Sequence, residues 1–268
     1  MNIENNYLTK IKTGLKFFVL TVGVLLTLCP LFIVLYTSLI DNQGNFTFNY
    51  YQQVWEKGNF IIAFLNSALV AISVTAIQII TSALAGYALA RLKFRGKNLI
   101  LLLIIATLVI PIQLLVIPIF LILKYANLIN TYWALILPTA ANGFGIFLMR
   151  QYFTTIPIEL EEAGALDGAN RGQIIWYILL PLAKPAVITL FLFTFIGEWN
   201  DLFKPLVFTT NPNLTTVQLT LASFQEQFTS DWSLLMAGVV LVTLPVIILF
   251  IIGQKQFIQG IGTTGMKN

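Results

Sequence analysis

Six long apolar runs, two of them without a charged residue, decide what this chain can fold into. They cover approximately residues 15–40, 60–90, 98–123, 132–152, 183–205 and 231–253. Crossing about 30 Å of hydrocarbon takes about 20 apolar residues. Lipid offers the backbone no hydrogen-bond partner, so each run is expected to be a helix. The expected fold class is therefore all-α, a polytopic membrane protein with six transmembrane helices. The first run, uncharged from Phe17 to Ile40, is too long for a secretion signal, whose apolar core is about 7–15 residues, and shows no small-x-small cleavage site. It is expected to stay as the first span.

Six spans put both termini on one side. If that side is cytoplasmic, only Lys57, Lys124 and Lys204 of the 15 basic residues lie outside, which matches the inward bias of Lys and Arg in membrane proteins. Tyr50, Tyr51, Trp55, Tyr132, Trp133 and Trp232 then sit at the outer headgroup level. The expected organisation is a cytoplasmic N-terminus (1–14), a transmembrane domain (15–253) with a cytoplasmic loop at 154–184, and a cytoplasmic tail (254–268). The second run is longer than a bilayer requires, so it either begins with an interfacial segment near Gly58 to Ile62 or runs tilted.

Composition removes other classes. Charged residues make up 10% of the chain, against about 25% in soluble domains. The net charge of +4 comes from residues flanking apolar runs and not from a basic, aromatic-interleaved groove, which excludes nucleic acid as a partner. With no His and the lone Cys29, neither a His or Cys metal site nor a disulfide is available. No catalytic residue and no metal ligand is expected.

The loop between the fourth and fifth runs is patterned unlike the others and reads as two short helices. Pro157 suits a first helical position, Glu159, Glu161 and Glu162 favour a helix N-terminus, and Asp167-Gly168 supplies a stop. Asn170 starts a second helix with Gln173 in the capping-box position. Gly164 and Gly168, beside Ala165 and Ala169, offer a small-residue surface that another protein can approach closely. The plainer alternative is an amphipathic helix lying on the membrane.

Glu162-Ala163-Gly164, then Gly168, then Ile178-Leu179-Leu180-Pro181 resemble the cytoplasmic signature of binding-protein-dependent import permeases. Gly164 departs from the usual second Ala. Asp167-Gly168-Ala169, Pro185, Gly197-Glu198-Trp199-Asn200-Asp201 and Pro205-Leu206-Val207-Phe208 are similar to the carbohydrate branch of that family, on the pattern of the shorter permease of the maltose importer. The resemblance implies a permease subunit in a bacterial inner membrane, forming the path for a sugar or related polyhydroxylated solute such as an oligosaccharide, glycoside osmolyte or glycerol phosphate. It implies three kinds of partner: a second homologous permease, two ATPase subunits carrying ATP and Mg, and an extracytoplasmic solute-binding protein.

The resemblance also implies residue roles. Glu162, Ala163, Gly164, Leu166, Asp167 and Gly168 would form a coupling helix that docks into the ATPase. Gln256, Gln259 and Gly260 of the tail would reach the ATPase dimer, and Asn211, Pro212, Asn213 and Thr215 would meet the binding protein. No phosphate-binding loop is present: Gly260 and Gly265 have the spacing of one, but Met266 stands where Lys is required. This chain is thus expected to bind no cofactor and to be no enzyme.

Polar residues inside spans are costly and often functional. The candidates for the solute path are Asn66, Gln78, Gln113, Asn142, Glu198, Trp199, Asn200 and Asp201. For each amide the alternative is an interhelical hydrogen bond, and Glu198 and Asp201 can instead pair with Lys204. The rival function is an ion-coupled secondary transporter, which needs a buried titratable residue mid-span and no nucleotide-binding partner.

Overall fold

The computed structural model describes residues 2–41, 43–57, 59–227 and 231–265, and they form an all-α polytopic membrane protein. Three helices are long and apolar enough to cross a bilayer, and three bent pairs pass the same test, making six spans when each pair counts as one. The chain forms two compact units, Met1–Gly58 with Ser223–Thr243, and Asn59–Ala222 with Leu244–Asn268.

In the first unit, α1 (Asn2–Leu39) runs through Pro30 without a break. The span within it, Thr13–Leu39, buries none of its most apolar stretch against its own chain, leaving a surface that only lipid or another apolar surface satisfies. α2 (Asn49–Lys57) follows, tied back by a 2.7 Å hydrogen bond between Tyr51 Oη and Ser38 Oγ. The turn between them is built on Asp41, whose Oδ1 accepts from the backbone amides of Asn45 and Gln43, each at 2.8 Å. Those amides, Asn45 foremost, hold its carboxyl below the ordinary value. The turn is therefore fully held above the ordinary carboxylate pKa and loosens as pH falls through the lowered one.

The second unit is built around α3 (Phe60–Arg91), one continuous helix of 32 residues. At 1.5 Å per residue it is about 48 Å long. Among the described residues the second run is thus a single long helix from Phe60. Small residues let its neighbours close in, as is usual between helices in lipid. A Cβ at Gly86 would lie 2.8 Å from Arg150 N and 2.9 Å from Met149 Cβ, and one at Gly145 would meet Ser82 Oγ. These glycines bring α7 (Gly143–Thr155) against α3. From the other side α11 (Lys184–Trp199) packs Leu190 into the same buried cluster as Ala83, Tyr87, Leu148 and Met149.

The third and fourth runs are bent within themselves, and the fifth, the least regular in sequence, is set off from the preceding limb by a sharp bend at its start. α4 (Lys97–Thr107) and α5 (Val116–Tyr125) meet at 92°. Pro111 lies in the break with extended backbone, ψ 135°, because it donates no amide bond and disfavours helical geometry in the residue before it. α6 (Tyr132–Ile136) leads through a short 3₁₀ turn into α7 across a 47° bend. α8 (Glu159–Leu166), α9 (Arg171–Gln173), a π turn over Ile174–Leu179 and α10 (Leu180–Leu182) form the loop, and the limb Arg171–Leu182 meets α11 at 83°. The wide π turn lies just ahead of Pro181, whose ring would collide with the carbonyl of Tyr177 in a regular helix.

α11 has 16 residues, about 24 Å, shorter than the hydrocarbon layer. α12 (Phe203–Phe208) extends it after a short break. α13 (Val217–Gln227) and α14 (Trp232–Gly265) complete the chain. The stretch from residue 254 continues α14 as helix to Gly265, with Gly260 against Pro185 O and Thr189. Residues 266–268 of the expected tail lie outside the described residues.

Candidate functional site

The loop between α7 and α11 is an elbow with caps at each turn. Pro157 precedes the helix instead of opening it; α8 starts at Glu159, with three acidic residues in its first turn facing the positive end of the helix dipole. At its other end Gly168 takes φ +85°. The Ala169 amide donates to Gly164 O at 3.0 Å and the Gly168 amide to Ala165 O at 3.1 Å, the paired closure of a Schellman motif that a left-handed glycine permits. Asn170 and Gln173 then form the expected capping box, side chain to backbone at 3.0 and 2.8 Å.

The two sides of α8 differ. Glu161 is buried and pairs with Arg91 of α3. Gly164 also turns inward, where a Cβ would lie 2.5 Å from Ile178 Cδ1. Its small size therefore serves packing inside the elbow and not an open face. Glu162, Ala163, Asp167 and Gly168 are exposed, and Leu166 is 89% exposed. Ile158, Glu162 and Leu166, spaced i, i+4, i+8, thus form one open stripe. Sequence reading missed Arg91 and Glu161. Among three neighbouring glutamates only the backbone path decides which one turns inward.

A second constellation lies beside α3. A cavity of about 250 Å³ is lined by Gln78, Thr139, Asn142, Phe144, Phe193, Thr194, Gly197 and Glu198. Gln78 is fully engaged, its Nε2 donating to Thr139 O at 2.5 Å and its Oε1 accepting from Thr194 Oγ1 at 2.8 Å. Asn142 Oδ1 caps α7 through the Gly145 amide at 3.0 Å, while its exposed side-chain NH₂ points no bond at the protein among the described residues. Phe144 and Phe193 meet edge to face with centroids 5.3 Å apart. Lys204 Nζ reaches Glu198 Oε2, Thr139 Oγ1 at 2.7 Å and Asp201 Oδ2 at 3.4 Å. Its side chain is 4% exposed, and such a charge is tolerable only because two carboxylates and a hydroxyl surround it. Asp201 Oδ1 also caps α12, accepting from the Phe203 amide at 2.8 Å.

Of the eight path candidates, then, Gln78, Asn142 and Glu198 line one cavity, and Asp201 stands behind Glu198 through Lys204. The other four lie elsewhere. Asn66 Nδ2 donates to Asn213 O and Thr215 O, both at 2.8 Å, and its Oδ1 accepts from Tyr132 Oη at 2.7 Å. It is a tie for the 209–216 loop. Trp199 is core, stacked on Phe195 at 5.7 Å with Phe64 on its edge. Asn200 accepts from Gln218 at 2.9 Å, and Gln113 is exposed in the α4–α5 break. Phe144, Phe193 and Thr194 were missed, since an apolar or hydroxyl side chain inside an apolar run gives no signal of its own.

In the loop, Asn211 caps a 3₁₀ turn over Pro212–Leu214. Asn211, Pro212 and Asn213 are exposed, Thr215 is half-buried, and Leu214 anchors the turn in the interior. In the last turns of α14, Gln259 is exposed, Gln256 half-buried and Gly260 buried.

Comparison with known proteins fits this geometry. The family described as binding-protein-dependent transport system inner membrane component matches residues 78–262. The "Probable ABC transporter permease protein YurM" of Bacillus subtilis is 36% identical over 223 residues, 80% of this chain and 74% of its own. The arabinooligosaccharides transport system permease protein AraQ of Halalkalibacterium halodurans is 33% identical over 212 residues, 79% of this chain and 76% of its own. Among solved structures, a chain of a bacterial ABC transporter involved in the import of the acidic polysaccharide alginate superimposes with a TM-score of 0.81 at 26% identity, covering 92% of this chain and 97% of that one. The match spans most of this chain and contains both the capped elbow and the cavity, so the chain belongs to the binding-protein-dependent transport system inner membrane components, the permease subunits of ABC importers.

Proposed function

We propose that this permease forms half of the translocation path for a neutral sugar or oligosaccharide, paired with a second homologous permease, driven by two ATPase subunits and supplied by an extracytoplasmic binding protein. The observation that carries the reading is the open stripe of α8: a short, doubly capped helix that holds Leu166 89% exposed beside Glu162. Such a helix keeps its shape when pushed, and its bare leucine suits a cleft in an ATPase subunit. ATP and Mg belong to that subunit. In this reading Gln259, with Gln256 beside it, meets the same partner while Gly260 seats the tail against Pro185 and Thr189, and both chain termini are cytoplasmic. The exposed turn at Asn211, Pro212 and Asn213, with Thr215, faces the binding protein.

The cavity supports the solute class. Phe144 and Phe193 offer ring faces to the apolar side of a sugar, the Asn142 NH₂ donates to a hydroxyl, and Glu198 accepts from one. Lys204 is already neutralised by Glu198 and Asp201, so it adds no attraction for an anion, and the one carboxylate charge left over disfavours an anionic solute further. AraQ serves arabinooligosaccharides and the solved neighbour the acidic polysaccharide alginate, and the paired lysine here favours the uncharged member of that range. The test is ATP hydrolysis by the assembled complex in liposomes with candidate binding-protein ligands. Stimulation by neutral saccharides supports the reading; stimulation by glycerol phosphate or uronic acid oligomers alone contradicts it.

A further inference from the structure

α3 differs from its neighbours in the second unit. The runs beside it are broken by bends of 92°, 47° and 83°, while α3 continues for 32 residues with no proline. It is also tied at three levels by polar side chains that are themselves buried. At its last residue, the Arg91 guanidinium donates through Nε to Glu161 of α8 and through Nη2 to Ile156 O, at the end of α7, at 2.7 Å. Arg91 and Glu161 side chains are only 11% and 8% exposed. Midway, Gln78 holds Thr139 O and Thr194 beside the cavity. Near its start, Asn66 holds Asn213 O and Thr215 O, and Ser67 Oγ accepts from the Val217 amide at 2.9 Å. From Asn66 to Arg91 is about 38 Å of uninterrupted helix.

We propose that Arg91 and Glu161 are the joint through which displacement of α8 enters α3, and that α3 delivers it to the 211–215 loop on the other side of the membrane. The proposal rests on the reading of α8 as the ATPase-docking helix. A bend absorbs motion by changing its angle, whereas an unbroken helix moves as a body, so the elbow's motion reaches the far loop through α3. Arg91 and Glu161 touch no solute; they are positioning residues, and pulling apart a charged pair held from water strands each charge without its partner.

The test uses the full complex with its ATPase subunits in nanodiscs, in a Cys29→Ser background, with spin labels at Glu159→Cys on α8 and Asn213→Cys on the loop. The probe is Mg-ATP with hydrolysis blocked by vanadate. Both labels are expected to shift in the otherwise unsubstituted complex. In Glu161→Gln the α8 label still shifts while the loop response falls at least about fivefold, the lower range of ordinary coupling, and the swap Arg91→Glu with Glu161→Arg recovers more than either single change. An undiminished loop response in Glu161→Gln overturns the joint while leaving the docking reading intact. A silent α8 label in the unsubstituted complex overturns the docking reading and the proposal together. Should Glu161→Gln fail to assemble, Arg91→Lys, which keeps the charge but loses the second bond to Ile156 O, takes its place: a reduced loop response supports the joint and an undiminished one overturns it.

Discussion

Leu166 offers the sharpest test at the scale of single residues. It contributes nothing to the fold, being 89% exposed, so Leu166→Asp is expected to leave stability within about 0.5 kcal/mol while weakening ATPase capture by about 2 kcal/mol or more. Thermal unfolding and co-purification of the ATPase subunit read the two effects separately. Gly164 predicts the opposite split. Its Cβ would strike Ile178 inside the elbow, so Gly164→Val costs about 1–3 kcal/mol of stability by overpacking and affects coupling only through the fold. Lys204 is a third case: Lys204→Met strands Glu198 beside Asp201 and is expected to cost about 3–5 kcal/mol, part of which Glu198→Gln in the same chain restores. That recovery, measured as a double-mutant cycle in detergent, separates a structural pair from a solute contact. Residue roles were the least legible part of the sequence. Glu162 and Leu166 stand exposed on α8, whereas Gly164 and Asn66 are turned toward their own chain, and the orientation of a side chain on a helix depends on where the neighbouring helices lie.

At the scale of elements, legibility follows how local the cause is. The elbow's stop at Asp167-Gly168 and its restart at Asn170 with Gln173 stand where the sequence predicted them, because a cap is satisfied by residues three or four positions away. The bends could not be read in the same way. Pro30 and Pro245 sit inside continuous helices, whereas Pro111 lies in a 92° break. Neighbouring helices in a membrane often re-satisfy the groups a proline frees, so the residue alone does not announce a break. The 209–216 loop offers an element-scale test. Asn66→Ala removes the donor that holds Asn213 O and Thr215 O and leaves Tyr132 Oη without its acceptor. The expected cost is about 1–3 kcal/mol, visible as faster amide exchange across that loop, with exchange in the elbow unchanged.

At the scale of the whole molecule, the apolar runs alone were enough to identify an all-α polytopic chain, its six segments matching three long helices and three bent pairs, because lipid leaves the backbone so few choices. The position of a cavity between α3, α7 and α11 was not legible, since it depends on how close glycines such as Gly86 and Gly145 let three helices come. The central claim is that this chain moves solute only when a separate motor acts on its elbow. Purified permease pair reconstituted in liposomes, with and without the ATPase subunits and internal Mg-ATP, tests that claim most directly. Uptake of the binding-protein ligand that requires both ATPase and nucleotide is the predicted result; uptake driven by a proton or sodium gradient with no ATPase present would contradict it.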